Sequence, residues 1–407
     1  MNKTIRQNRF LTAGEAADAL GVSRTTLYAY TSRGQLRSEP SPERTREHRY
    51  PREDIDRLLE RKETRRDPAK AAARGLHWGS PVLESGLTLI HDGHLYYRGQ
   101  DATKLAQTAT LEQVAELLWG AEPAERGRLF GQAPILSPDH LARLRPFAKA
   151  GPLSLAQSAL PLCGAADPSS WDLRPQGVRM TGGRIVRMLA TLITGRHSGL
   201  PVHLALQSSW APKRPDAGEA IRAALVLCAD HELNASAFVA RCAASAGASP
   251  YDVVSAALAT LRGNRHGGAT HRLSALFAEV GKPERSRAVL ADRLRRGESL
   301  PGFGHPLYAN GDPRAALLLK MAEGAGNKEA WRSIRRLAKA GADLLQTSPN
   351  LDFGLVAIAR AYRLPEDAPL VLFALGRSAG WIAHAIEQYA SSDLIRPRAR
   401  YTGPDPL

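Results

Sequence analysis

At 407 residues the chain exceeds what one hydrophobic core sustains, and Leu, Ala, Arg and Glu dominate over aromatics (6%), so two or three mainly α domains are expected. The 55 Lys and Arg against 40 Asp and Glu leave a formal charge of +15, of which +6 (17 basic minus 11 acidic) falls in residues 1–75. Nucleic acid near the N-terminus and a phosphorylated or carboxylated small molecule elsewhere are the expected anionic partners. Cys163, Cys228 and Cys242 form no C-x-x-C pair, which argues against a disulfide framework and a metal site; no apolar signal core or run of about 20 apolar residues is evident, so a soluble cytoplasmic protein without a membrane span is expected.

In chain order, Thr12 and Glu15 stand at capping-box spacing before a helix that Gly21 stops, and Ser23 caps a second from Arg24 to Ser32. Leu36-Arg37-Ser38 reads as a polar loop, 47–50 as a β wing and 52–62 as a third helix. Thr12 to Tyr30 and the wing exit at 49–55 resemble the winged-helix DNA-binding domains of the MerR and excisionase type. That resemblance implies a domain over 1–64 whose second helix enters the major groove. Arg24, Thr25 and Tyr28 would face bases, and Arg33, Arg37, Arg46 and Arg49 phosphates.

Residues 65–75 read as a linker before a domain over 76–407. Leu87 to Ile90 and His94 to Tyr97 flank Asp92-Gly93, a turn pair that predicts a β-hairpin and the only sheet of note. Thr110 and Gln113 form another capping box, after which helical periodicity runs to the C-terminus, with breaks expected near 151–180 and 208–217.

Three separated stretches carry candidate chemistry. His266 precedes Gly267 and Gly268, which let a backbone approach a ligand closely or take positive φ. Gly302, Phe303 and Gly304 lead into His305, and the two glycines would expose N–H groups to an anion. Asp352 follows Asn350 among apolar residues, where burial would raise its pKa toward that of a useful base, or where it would cap the following helix. Only a tertiary fold brings the three together. A further polar cluster, 230–234, surrounds His231, and Arg377 lies in an apolar stretch where a guanidinium needs partners.

The order and spacing of His266-Gly267-Gly268-Ala269, Pro301-Gly302-Phe303-Gly304-His305 and Asn350-Leu351-Asp352-Phe353 resemble the citrate synthase family. So do Tyr97-Arg98-Gly99, 230–236, Asp312-Pro313-Arg314, 376–384 and Arg396-Pro397-Arg398, so the resemblance covers about Val82 to Gly403. It implies large and small helical domains, the small one roughly 231–345, and condensation of acetyl-CoA, or propionyl-CoA, with a 2-oxo dicarboxylic acid such as oxaloacetate, with no cofactor. By the same resemblance Asp352 is the base, His266 the donor to the enol oxygen and His305 the donor to the keto oxygen. His231, Arg314, Arg377 and Arg396 would hold carboxylates, and Gly302, Phe303 and Gly304 would contact CoA. Arg396 would act across the boundary of a homodimer with shared sites. The chain departs from the family pattern at Cys228, where a histidine is common, and at Pro306 and Ala309, where basic residues are. These departures keep open a second reading, a DNA-binding regulator whose synthase-like domain senses a metabolite.

Overall fold

A computed structural model of the chain describes residues 10–40, 48–52, 54, 55, 58, 59, 83–132, 138–399 and 401–404. The chain divides into two units between Glu84 and Ser85, and the expected linker 65–75 lies outside the described residues.

In the first unit Thr12 Oγ1 accepts from the Glu15 amide (3.3 Å) and Glu15 Oε2 from the Thr12 amide (2.9 Å), which closes the start of α1 (Ala13–Leu20). Gly21, at φ 61°, ends it, and Ser23 caps α2 (Arg24–Ser32). The wing is larger than the expected 47–50. β1 (Phe10–Thr12) and β2 (Glu39–Pro40) flank β3 (His48–Pro51) in an antiparallel sheet of order β1-β3-β2. Leu36, expected in a polar loop, instead joins Ala16, Leu20, Leu27, Tyr50 and Ile55 in the small core. Arg52, Asp54, Ile55, Leu58 and Leu59 are helical; the rest of the expected 52–62 helix is outside the described residues.

The second unit opens with β4 (Thr88–His91) and β5 (His94–Tyr97), joined through Asp92 and Gly93, both at positive φ as a tight hairpin turn requires. A second tight turn adds β6 (Gln100–Asp101), so the hairpin belongs to a three-stranded sheet; with the wing, two sheets are described where one was expected. Helices follow: α3 (Ala102–Thr108), α4 (Leu111–Leu118), α5 (Pro138–Leu144), α6 (Pro152–Ala166), α7 (Pro175–Thr194), α8 (Val202–Trp210) and α9 (Asp216–Cys228). Then come α10 (Ala235–Ser245), α11 (Pro250–Leu261), α12 (Ala269–Val280), α13 (Ser286–Arg295), α14 (Pro313–Gly324), α15 (Lys328–Leu345), α16 (Leu351–Tyr362) and α17 (Ala368–Tyr389). The break expected over 151–180 is mostly α6 and α7. Pro152 and Pro175 sit in the first turns, where a missing N–H costs nothing, while Pro161 lies inside α6.

α17 is the axis of this unit and packs on α4, α7, α9, α10, α11 and α16. By length and composition it could cross a membrane, contrary to the reading that no run reaches that size, but its apolar window is wholly buried as a core helix. Gly376 and Gly380 let it meet α9 backbone to backbone. A Cβ at either would stand 2.5 Å from the Leu225 carbonyl oxygen or 2.4 Å from that of Ala229. That contact carries Arg377 to the C-terminal end of α9, where the site begins.

Candidate active site

The polypeptide leaving α9 is pinned by one phenol. Tyr97 Oη, at the end of β5, lies 3.0 Å from the Val226 carbonyl and 3.2 Å from that of Asp230, and the Asp230 amide donates back to it at 3.4 Å. Asp230, fully buried, accepts from Thr88 Oγ1 (2.6 Å), and His384 Nε2 of α17 stands 3.3 Å from its other oxygen, within ion-pair distance but outside hydrogen-bond geometry. Burial pushes the Asp230 pKa up, but His384, Arg377 and Thr88 together hold it below the usual carboxylate value. Arg377, 1% exposed, donates from Nε to the Cys228 carbonyl (2.7 Å) and stacks over Phe373, while its Nη1 has no partner among the described residues. Burial lowers the pKa of Arg377 and pushes the Cys228 thiol up to about 12.

His231 and His305 meet edge to face, ring centroids 4.9 Å apart, and Tyr308 Oη lies 3.0 Å from His231 Nε2. The Leu307 amide donates to His305 Nδ1 (3.2 Å), so in the neutral ring the proton belongs on Nε2. Arg314 stacks beneath Tyr308 and is gripped in parallel by Asp312, Nε–Oδ1 2.9 Å and Nη2–Oδ2 2.8 Å. Burial works against that guanidinium, yet the Asp312 charge holds its pKa above the ordinary value.

Two ties join this group to α16. Asp312 Oδ2 accepts from the Leu351 amide (3.0 Å), and Asn350 Nδ2 donates to the Gly304 carbonyl (3.1 Å). Asn350, not Asp352, caps α16, taking the amides of Asp352 and Phe353 on its Oδ1. Asp352 is thereby left for other work. Its Oδ1 is buried without a partner among the described residues, and burial raises its pKa to about 7 against the pull of Arg314 and Arg377.

His266 approaches from the start of α12. Its Nε2 lies 2.9 Å from Ser236 Oγ, which also takes the Trp381 indole N–H (3.1 Å) and lies 2.8 Å from Asn234 Oδ1. Burial, then the Arg377 charge, lowers the His266 pKa to about 4. Burial and Arg314 do the same to His305, while burial with the charges of Arg314, His305, Arg377 and His266 keeps His231 well below 6.5. All three are neutral at pH 7. These mutual influences mark one cluster: His231, His266, His305, Asp352, Arg314 and Arg377.

Several expected roles change at this level of detail. Gly267 and Gly268 are not at positive φ. They pack against the Leu261 and Arg262 carbonyls, where a Cβ would come within 2.9 and 2.7 Å. Gly302 and Gly304 are at positive φ, but the Gly304 amide is spent on the Ser348 carbonyl (2.9 Å) and so is not offered to an anion. The Phe303 ring sits on Gly341 and on Phe353 (5.3 Å) as a packing group. Arg396 lies exposed on the C-terminal tail. In the first unit Arg24, Thr25 and Tyr28 are exposed on α2, with Arg33 exposed at its end. Arg37 and Arg49, expected on phosphates, are ion-paired with Asp54 (2.9 Å) and Glu39 (3.1 Å); Arg46 is outside the described residues. The sequence reading missed Ser236, Trp381, Tyr308 and the Asp230–His384 pair. Only the polar runs around His231 and at 376–384 hinted at them.

A family model described as citrate synthase, C-terminal domain, matches residues 75–398, and one described as helix-turn-helix domain matches 10–63. The chain is 29% identical over 360 residues to citrate synthase 2 of Bacillus subtilis, covering 82% of this chain and 96% of that protein. It is 31% identical over 335 residues to the citrate synthase of Mycolicibacterium smegmatis (76% and 89% covered) and 30% identical over 338 residues to the 2-methylcitrate synthase of Mycobacterium tuberculosis (76% and 84%). Among solved structures, the Thermoplasma acidophilum citrate synthase in ternary complex with carboxymethyl coenzyme A and oxaloacetate superposes with a TM-score of 0.71 at 26% identity, covering 82% of this chain and 97% of that one. The Thermotoga maritima citrate synthase gives 0.70 at 24% identity, with 81% and 95% covered.

Proposed function

Because the chain belongs to the citrate synthase family and is an enzyme of that family, we propose that it condenses acetyl-CoA with oxaloacetate to citrate and free CoA. The observation that carries this reading is Asp352, whose Oδ1 is buried without a partner among the described residues and whose pKa near 7 makes it a usable base at neutral pH. A thioester α-carbon is too weak an acid for a carboxylate alone, so charge must be met as it forms. Asp352 takes the α-proton while His266 donates to the thioester oxygen. Ser236 Oγ takes the Trp381 indole N–H, and its one proton lies within reach of both Asn234 Oδ1 (2.8 Å) and His266 Nε2 (2.9 Å); with that proton turned to His266, the imidazole keeps its own on Nδ1 for the substrate. The enol carbon attacks the keto carbon of the 2-oxo acid, whose oxygen receives a hydrogen bond from His305 Nε2–H. Water then cleaves the thioester and releases CoA.

Arg377, whose Nη1 has no partner among the described residues, and Arg314 with His231 hold the 2-oxo acid carboxylates, and Gly302, Phe303 and Gly304 shape the CoA side. Arg396, exposed in one chain, is assigned to the neighbouring site of a homodimer. The 30% identical 2-methylcitrate synthase supports propionyl-CoA as a second donor. The exposed face of Arg24, Thr25 and Tyr28 and the matching helix-turn-helix model favour DNA as a partner of the first unit, which also keeps the metabolite-sensing regulator as the alternative. Thiol release with a panel of acyl-CoAs and 2-oxo acids tests the enzyme. Turnover with acetyl-CoA and oxaloacetate is expected, and no turnover with any pair sinks the reading. A gel shift at low salt with its own promoter tests the DNA contact, which is abandoned if no complex forms.

A further inference from the structure

Away from the acid/base cluster a cleft of about 430 Å³ opens between α12, α16 and the segment leading into α17. Ala278 and Leu364 give it apolar walls, Ser274 adds a hydroxyl, and Arg360, Arg363 and Glu366 stand around it. Two arginines and one acid thus line it, and no ion pair joins either arginine to an acid among the described residues. At roughly 30 Å³ per small group the space suits about ten to fifteen non-hydrogen atoms.

The cleft also has a connection inward. The Arg360 guanidinium lies over the Phe277 ring at 4.6 Å, Phe277 packs on Phe353 at 5.7 Å, and Phe353 on Phe303 at 5.3 Å. Phe353 directly follows Asp352, and Phe303 stands two residues before His305. A group that draws Arg360 off its ring therefore disturbs packing that ends beside both residues.

We propose that this cleft binds a small organic carboxylate with an apolar body, and that its occupancy alters the site through the Arg360–Phe277–Phe353–Phe303 stack. The carboxylate would meet the arginine fork while the body displaces water from Ala278 and Leu364. The binding half is independent of the proposed condensation; the coupling half rests on the CoA site that reading assigns.

Both halves are tested by calorimetry on the full chain, without turnover. Octanoate is expected to bind saturably and inorganic phosphate not, with octanoate affinity reduced at least tenfold in Arg360→Gln, which removes the charge, and in Ala278→Trp, which fills the space. No saturable binding, phosphate binding as tightly as octanoate, or unchanged affinity in both variants overturns the site. For the coupling, saturating octanoate is expected to change the Kd for CoA at least threefold in the wild-type chain. Phe277→Leu, or Phe277→Met should the first not fold, is expected to keep octanoate binding and lose that change. An unchanged CoA Kd in the wild type, or a change that survives in the Phe277 variant, overturns the coupling. A failed thiol-release assay, by contrast, counts against the condensation alone.

Discussion

Asp352 is costly to ionise where it stands. Its folded pKa near 7 exceeds the unfolded value near 4, so the folded chain holds a proton there that the unfolded chain has released between those two pH values. Stability is therefore lost as pH rises toward 7, and the full penalty, on the order of 2–4 kcal/mol, applies above it. Asp352→Asn is expected to lower kcat by at least about a thousandfold, yet to melt higher than the wild type at pH 8, with the difference vanishing near pH 4. Paired thermal melts and thiol-release rates check both signs; an equal or lower Tm at pH 8 contradicts the burial argument. In the wild type, log kcat/KM should fall with unit slope below about pH 7, since the lowered pKa values leave the three histidines neutral through that range. Ser236→Ala should cost roughly ten- to a hundredfold in kcat with a smaller change in KM, because it removes only the group that sets the proton on His266.

At the scale of elements, close backbone approach is what aims Arg377. Gly376→Ala forces a methyl against the Leu225 carbonyl and should cost about 2–3 kcal/mol or more by denaturant titration. Gly324→Ala, at an open position in the last turn of α14, should be neutral or stabilise by up to about 1 kcal/mol. The capping boxes at Thr12 and Thr110 and the Asp92-Gly93 turn were legible because each is a local hydrogen-bond or φ requirement written in consecutive residues. β1 and β2 were not, since strands of three and two residues show no alternation. α6 and α7 were obscured by prolines that read as breaks: Pro152 and Pro175 prove to be first-turn residues, and Pro161 is tolerated inside α6. Within the site, glycine surroundings flagged His266 and His305, and an apolar setting after Asn350 flagged Asp352. Ser236 and Tyr308 carried no such mark, because their importance comes from the residues that folding sets beside them.

For the whole molecule, the proposal that a homodimer shares its sites makes a definite prediction. Asp352→Ala and Arg396→Ala chains, each inactive alone, should regain activity when co-expressed, because one site of each mixed dimer receives both native residues. No recovery in purified mixed dimers would remove Arg396 from the neighbour's site. The Tyr97 phenol carries a different consequence, one of timing. It bonds carbonyls 129 and 133 positions further along the chain, and Arg377 reaches back 149 positions to Cys228. Such distant closures form late, after local helices have already appeared. On refolding from denaturant, far-UV circular dichroism should therefore recover well before thiol-releasing activity, and a newly made chain would carry its helices for a while before it could turn over a substrate.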